Sequence, residues 1–137
     1  MKKRILGIDY GNRRIGLAIS DPLNIFAKPF HTIDKNKKPK FLNEIYEVIK
    51  NMNIEKVVVG LPLNMKGIDS EQTKIVRKFV QILKKKINIP IIFQDERLSS
   101  KSAKEYLIMQ NISPSKNKKS VDSVAASIIL QEFLDNS

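Results

Sequence analysis

The sequence predicts an α/β fold: a mixed five-stranded sheet, three antiparallel strands and then two parallel crossover strands, with helices on both faces. Three observations carry this. The stretch RILGIDYGNRRIGLAISD, Arg4 to Asp21, is an apolar run that reaches a lone carboxylate at Asp9, turns through Gly11 and Asn12 and returns as a second apolar run, the pattern of a β-hairpin. The run KVVVGL, Lys56 to Leu61, is continuous and β-branched, as in strands buried on both faces of a parallel sheet. Between and after the strands the apolar period changes to that of amphipathic helices.

Each element follows in order. Whether the hairpin closes about a two-residue or a four-residue loop, the register has one parity, and Asp9 shares a face with Gly7, Gly16 and Ala18. That face is nearly bare of side chains, which leaves room for a closely packed helix or for a metal with its substrate. Ile25 to Ile33 reads as a third strand, and Pro29 within it suits an edge position. Asp34 to Lys40, DKNKKPK, is a solvated connection. Phe41, Leu42, Ile45, Val48, Ile49 and Met52 recur at helical spacing, so Phe41 to Asn51 is an amphipathic helix. After KVVVGL the loop PLNMKGIDS ends in Asp69 or Ser70, both good N-caps, and the helix that follows carries Ile75, Val76, Phe79, Val80, Ile82 and Leu83. Lys84, Lys85 and Lys86 close it, where cations suit the helix dipole. Pro90 to Gln94 is the last strand and runs directly into DERLSS. A helix is expected from about Ser100 to Met109, then a flexible basic loop, Asn111 to Ser120, and a final helix from Val121 to Leu134.

No repeat and no boundary interrupts this order, so the 137 residues are expected to form one domain, 1–137, large enough to bury roughly two-thirds of the surface of its unfolded chain. Cysteine is absent, which excludes disulfides and thiolate metal sites and leaves oxygen ligands or the single His31 for any metal. With no partner histidine, His31 is assigned no chemistry. No apolar stretch approaches the ~20 residues that span a bilayer, and the first acid comes too early for a signal peptide; the expectation is a cytoplasmic protein with no membrane partner. The net charge of +11 and the 20 lysines point to a polyanionic partner, nucleic acid ahead of a membrane surface.

The acids give the sequence its chemistry. In VDSVAASIILQEF, Asp122, Ala125, Ala126, Ile129 and Phe133 share one helical face. Two alanines let that helix lie close on a sheet face that is itself small, here the one holding Gly7, Gly16 and Ala18, and such docking carries Asp122 toward Asp9. Asp95 and Glu96 close the last strand, and one of them supplies a third acid. Three clustered carboxylates repel and raise one another's pKa unless a divalent cation lies between them, so the cluster predicts its own metal, Mg²⁺ or Mn²⁺. Alternation turns Asp95 and Glu96 to opposite faces, so only one of them faces Asp9; Asp95, if it is the one turned away, can pair with Arg97.

Four strings together, GIDYGNRRIGLAISD, VVVGLPLNMKG, DERLSS with Ala103, and VDSVAASIILQEFL, span nearly the whole chain and resemble the YqgF or RuvX proteins, also called Holliday junction resolvases, of the RNase H-like fold. The resemblance implies a nuclease with Asp9, Glu96 and Asp122 in the acidic positions, and a role in maturing the 5′ end of the small-subunit ribosomal RNA precursor. In one place the chain departs from the pattern: Lys66 stands before Gly67 where many members carry an acid.

In that reading the three acids hold two Mg²⁺ or Mn²⁺ ions, one activating a water and one stabilising the leaving oxygen of a phosphodiester, and no nucleophilic side chain is needed. Arg13, Arg14 and Arg97 offer guanidinium forks for phosphate, against a plain reading as solvated charge. Lys116, Lys118 and Lys119 immediately precede Asp122 and can gather phosphates beside it. Gly11, Gly60, Pro62 and Gly67 shape the loops around the site. Against the nuclease stand a DNA endonuclease of the Holliday junction type, a non-catalytic nucleic-acid binder that kept the fold, and a phosphotransferase of the actin and Hsp70 type. The last needs two lobes where 137 residues supply one. Ribosomal RNA precursor and branched DNA both remain open as partners, as does monomer against weak homodimer.

Overall fold

A computed structural model describes residues 3–64, 66–96 and 118–137, with the backbone alone at 118–120. Five strands, β1 (Arg4–Tyr10), β2 (Arg14–Ser20), β3 (Ala27–Asp34), β4 (Ile54–Leu61) and β5 (Ile91–Asp95), form one sheet in the order β3-β2-β1-β4-β5. Pairing is antiparallel between β1 and β2 and between β2 and β3, and parallel between β1 and β4 and between β4 and β5. Three helices, α1 (Phe41–Asn51), α2 (Glu71–Lys84) and α3 (Lys118–Asp135), complete the described chain.

The hairpin closes about four residues: Tyr10 pairs with Ile15, and the Gly11 amide donates to the Arg14 carbonyl at 3.0 Å. Asp9 stands opposite Gly16, and Gly7 opposite Ala18, as the parity argument requires. β3 is the expected edge strand, shifted toward its C-terminus. Its register slips between Leu17 and Ala18, so that Phe30 lies between the residues paired with them, and this irregularity absorbs Pro29, which has no amide to donate. Asp34 is not part of the solvated connection; it ends β3, is buried, and accepts the backbone amide of Asn36 at 3.0 Å.

The two sheet faces have separate cores. Leu6, Ile8, Ile15, Leu17, Ile19, Val57 and Val59 point to one side and pack with Ile45 of α1 and Val76, Phe79, Val80 and Leu83 of α2. Ile5, Ala18 and Val58 point to the other and pack with Ala126, Ile129 and Leu130 of α3. Ser70 caps α2 in a capping box: its hydroxyl accepts from the Thr73 amide at 3.3 Å, and the Thr73 hydroxyl accepts from the Ser70 amide at 2.9 Å.

Three expectations change. Ile75 and Ile82 follow the helical period of α2 but are each 42% exposed, because the buried stripe runs through Thr73, Val76, Phe79, Val80 and Leu83 instead. α3 begins at Lys118 rather than Val121, so Lys118 to Ser120 belong to the helix and not to a loop; lysine is a good helix former even though it breaks the apolar period. Asp122 is therefore the fifth residue of α3, beyond the first turn where an acid would simply suit the dipole. The expected helix from Ser100 to Met109 and the loop from Asn111 to residue 117 lie outside the described residues.

Candidate active site

Contact with α3 explains the bare sheet face. A Cβ on Gly16 would overlap the backbone carbonyl of Asp122, and one on Gly7 would come within 3.1 Å of the carbonyl of Ala126. Helix backbone lies directly on sheet backbone there, which only glycine permits. The result is positional: α3 is pinned with Asp122 over Gly16, the residue that pairs with Asp9.

Glu96 arrives from the other side. Its amide donates to the Leu61 carbonyl at 3.3 Å, extending the β4–β5 pairing by one residue, and alternation gives Glu96 the same face as Gly60 and Asp9. Gly60 makes the room: a Cβ there would lie 2.7 Å from Glu96 Oε2 and 2.5 Å from the end of Ile129. Asp95 pairs with Leu61 and so turns to the opposite face, yet its charge reaches both Glu96 and Glu132 of α3.

Asp9 and Glu96 share a side-chain hydrogen bond. Burial raises Glu96 to about 9, helped by the charge of Asp9, by that hydrogen bond and by Asp95. Burial also raises Asp9, to about 6, with Asp122 adding to the rise and the Glu96 hydrogen bond opposing it. Burial and mutual repulsion thus favour one proton shared between the two carboxylates at neutral pH.

Asp122 is engaged differently from the expected cluster. Arg14 Nε donates to Asp122 Oδ2 at 2.6 Å across 108 residues of sequence, with both side chains about a quarter exposed. Among the described residues no three His, Asp or Glu side chains gather closely enough to hold one ion. One proton and one guanidinium take up the repulsion that a cation between three carboxylates would otherwise remove. The donor set still fits a hard divalent cation: two touching carboxylates, all-oxygen ligands, a Gly60 cradle that any side chain would fill, and a third acid close enough to raise Asp9.

Of the other candidates, Arg13 Nη2 reaches Asp34 Oδ2 at 3.5 Å and stays largely exposed. Gly11 closes the hairpin loop, as noted. The Pro62 carbonyl accepts from the Thr73 hydroxyl at 2.6 Å and seats the start of α2. Gly67 has φ of 76°, in the left-handed region, and its amide donates to the Asn64 carbonyl at 2.8 Å. Arg97 and Lys116, and the side chains of Lys118 and Lys119, lie outside the described residues. Sequence reasoning passed over Glu132. Burial raises its pKa, with Asp95 adding to the rise, while a hydrogen bond with Gln94 opposes it. Its only sequence signal is a place one turn past Ile129 on α3.

A family profile described as "RuvX: Holliday junction resolvase" matches residues 3–136. The chain belongs to the RuvX family. A Roseiflexus relative named "Putative pre-16S rRNA nuclease" is 42% identical over 133 residues, covering 97% of this chain and 94% of its own. A relative of the same name from Maridesulfovibrio salexigens is 40% identical over 131 residues, covering 96% and 97%. Among solved structures, Fowlpox virus resolvase in complex with Holliday junction DNA superposes with a TM-score of 0.60 at 16% identity, over 97% of each chain. Thermus thermophilus RuvC with a Holliday junction substrate gives 0.58 at 18% identity, over 98% of this chain and 94% of that one. The mixed sheet is thus that of the RNase H-like resolvases, and this RuvX protein is a nuclease, a hydrolase of phosphodiester bonds acting on nucleic acid. No helix among the described residues is long and apolar enough to cross a membrane.

Proposed function

We propose that this RuvX protein trims the 5′ end of the 16S ribosomal RNA precursor in the cytoplasm, with Asp9, Glu96 and Asp122 holding two Mg²⁺ or Mn²⁺ ions. The observation that carries this reading is the Asp9–Glu96 hydrogen-bonded pair over the bare Gly60, with Asp122 brought alongside by α3. The names of the relatives at about 40% identity favour RNA as the substrate.

Bound divalent cations supply an activated water and a counter-charge for the leaving oxygen. The protein's own residues do the rest. Asp9 is fixed by the sheet ladder opposite Gly16, so its carboxylate is placed without a loop to reorganise. Asp9 and Glu96 would hold a cation as oxygen ligands, which would require Glu96 to lose its proton to solvent. Arg14, paired with Asp122, would present its remaining guanidinium donors to a phosphate at that edge of the site. Asp95 stays on the opposite face and adds negative charge at a distance.

The deciding experiment incubates the protein with 16S precursor RNA and, side by side, with a four-way DNA junction, in Mg²⁺ and in chelator. Cleavage of the RNA in Mg²⁺, its loss in chelator, and its loss in a folded Asp9→Asn variant are expected. Cleavage of the junction alone would move the substrate to branched DNA. Cleavage by Asp9→Asn at the parent rate would remove the metal mechanism.

A further inference from the structure

The acid end of β1 has a second side. Tyr10 follows Asp9, so its ring passes to the face covered by α1 and α2 while the Asp9 carboxylate faces α3. That ring stacks on Phe79 of α2, with centroids 4.1 Å apart and planes 16° apart, and meets Phe41 of α1 at 6.2 Å. Tyr10, Phe41, Leu42, Phe79, Ile75 and Ile82 line a cleft of about 170 Å³ between the two helices, and Lys78 supplies its one charge. Ile75 and Ile82 are the two α2 residues that follow the helical period yet stay exposed, and this cleft is where they stand.

The rim is basic. Lys35 Nζ lies 4.1 Å from the centre of the Tyr10 ring and 5.7 Å from that of Phe41. Its amide donates at 2.9 Å to the Arg13 carbonyl, which ties the lysine-rich connection to the hairpin loop beside the acids. Lys37, Lys38 and Lys40 follow in the same connection, with Glu44 and Glu47 of α1 beneath them. Flat apolar walls interleaved with lysines suit a single-stranded nucleic acid, whose bases stack and whose phosphates need cations. A protein partner fits poorly, since such interfaces are depleted of lysine at their cores and bury far more surface than so small a cleft offers.

We propose that the α1/α2 cleft takes one unpaired base of the nucleic-acid substrate, with the flanking phosphates on Lys35 and Lys78, so that the strand crosses the end of β1 between the acids and the cleft. The inference rests on the nuclease reading above and narrows its substrate: the nucleotides beside the cut are single-stranded. A fully paired duplex could pass the acids but could not place a base among Phe41, Ile75 and Ile82.

The test is binding, measured in chelator so that nothing is cut. The probes are a short single-stranded RNA carrying one 2-aminopurine, moved along the strand, and a blunt RNA duplex of the same sequence. In the parent, the 2-aminopurine fluorescence should be quenched at one position of the single strand. Ile75→Glu puts a negative charge at an exposed position of the cleft, which leaves the core alone. It should weaken single-strand binding about tenfold and abolish the quenching, while duplex binding changes less than about twofold. Ile75→Phe should keep both affinity and quenching. Equal single-strand binding and quenching in the parent and Ile75→Glu would overturn the cleft, as would a change of oligomeric state in Ile75→Glu with RNA binding intact. A parent that neither binds nor cleaves RNA would instead bring down the proposed RNA substrate, and the two failures are separated by the parent's own cleavage assay.

Discussion

Toward α1 and α2 the sheet presents Leu6, Ile8, Ile15, Leu17, Ile19, Val57 and Val59, all fully buried; toward α3, beside Ile5 and Val58, it presents Gly7, Asp9, Gly16, Ala18 and Gly60. Large side chains on the first face hold their helices at a distance and bury much apolar surface, so that face supplies most of the hydrophobic stabilisation. Small residues on the second bring backbone against backbone, which buries less but leaves no room for α3 to approach an added side chain. The difference separates two jobs. A side chain can shrink on the first face and the protein loses stability, whereas on the second a single added methyl moves a carboxylate.

The sharpest way to break this comparison is to alter one residue on each face. Ile8→Ala leaves a cavity in the large core and should cost about 2–5 kcal/mol. Cleavage per folded molecule should stay near the parent value, because Asp9, Glu96 and Asp122 are untouched. Gly16→Ala adds one methyl against the Asp122 carbonyl and should cost less, about 1–3 kcal/mol of overpacking. Its activity should nevertheless fall about a hundredfold, as expected when reacting groups are displaced by about an ångström. Denaturant melts and single-turnover rates on the folded fraction read both quantities. If Ile8→Ala lost more activity per folded molecule than Gly16→Ala, the division between the faces would be wrong.

A smaller effect separates the faces by pH. Glu96, ordinarily near 4.5, is raised to about 9 in the fold, and Asp9, ordinarily near 3.8, to about 6. Between those ordinary and raised values the folded protein holds protons that the unfolded chain has released, so its stability falls as pH rises through that window. In chelator the melting temperature should therefore drop steadily between pH 5 and pH 9. Glu96→Gln should flatten that slope, and Mg²⁺ should lift the melting temperature more at pH 8 than at pH 5, because the ion favours the charged carboxylates. The depressed acids Asp21, Asp34 and Asp69 do not confuse the reading, since their contribution is lost only as pH falls below their ordinary value of 3.8. Ile8→Val, on the other face, should lower the whole curve without changing its slope. A flat parent curve would mean the acid pair is not strained by burial.

Periodicity made both faces legible in the sequence. Strand parity alone put Asp9 with Gly7, Gly16 and Ala18, and helical spacing gave α1 its bounds and placed Asp122, Ala126 and Ile129 on one stripe. What stayed hidden were contacts with no period. Ile75 and Ile82 carry the same apolar signal as Val76 and Phe79, and only the depth of packing divides them. Lys118 to Ser120 read as loop because polar residues give a helix no stripe, although their helix propensity is good. Asp34 hid in a lysine-rich run, where its carboxylate accepts from the Asn36 amide and from Arg13 of the hairpin loop. Arg14 and Asp122 are 108 residues apart, and no local pattern tells an arginine which acid it will meet.

That pair provides the last and smallest test. Arg14 and Asp122 are about a quarter exposed, so water screens their attraction and the ion pair contributes about 1 kcal/mol. A cation entering the site competes with the guanidinium for Asp122. Arg14→Ala should therefore lower stability by about 1 kcal/mol yet tighten Mn²⁺ binding about fivefold, read by calorimetry in the absence of nucleic acid. Cleavage should still fall, since the same arginine offers a guanidinium fork for a phosphate beside Asp122. Arg14→Lys keeps the charge but loses the planar fork, and should restore the parent's metal affinity without restoring its rate. Weaker metal binding in Arg14→Ala would show that Arg14 holds Asp122 in place for the ion rather than competing with it. The orientation of Asp122 would then depend on the hairpin as well as on the glycine contacts beneath α3.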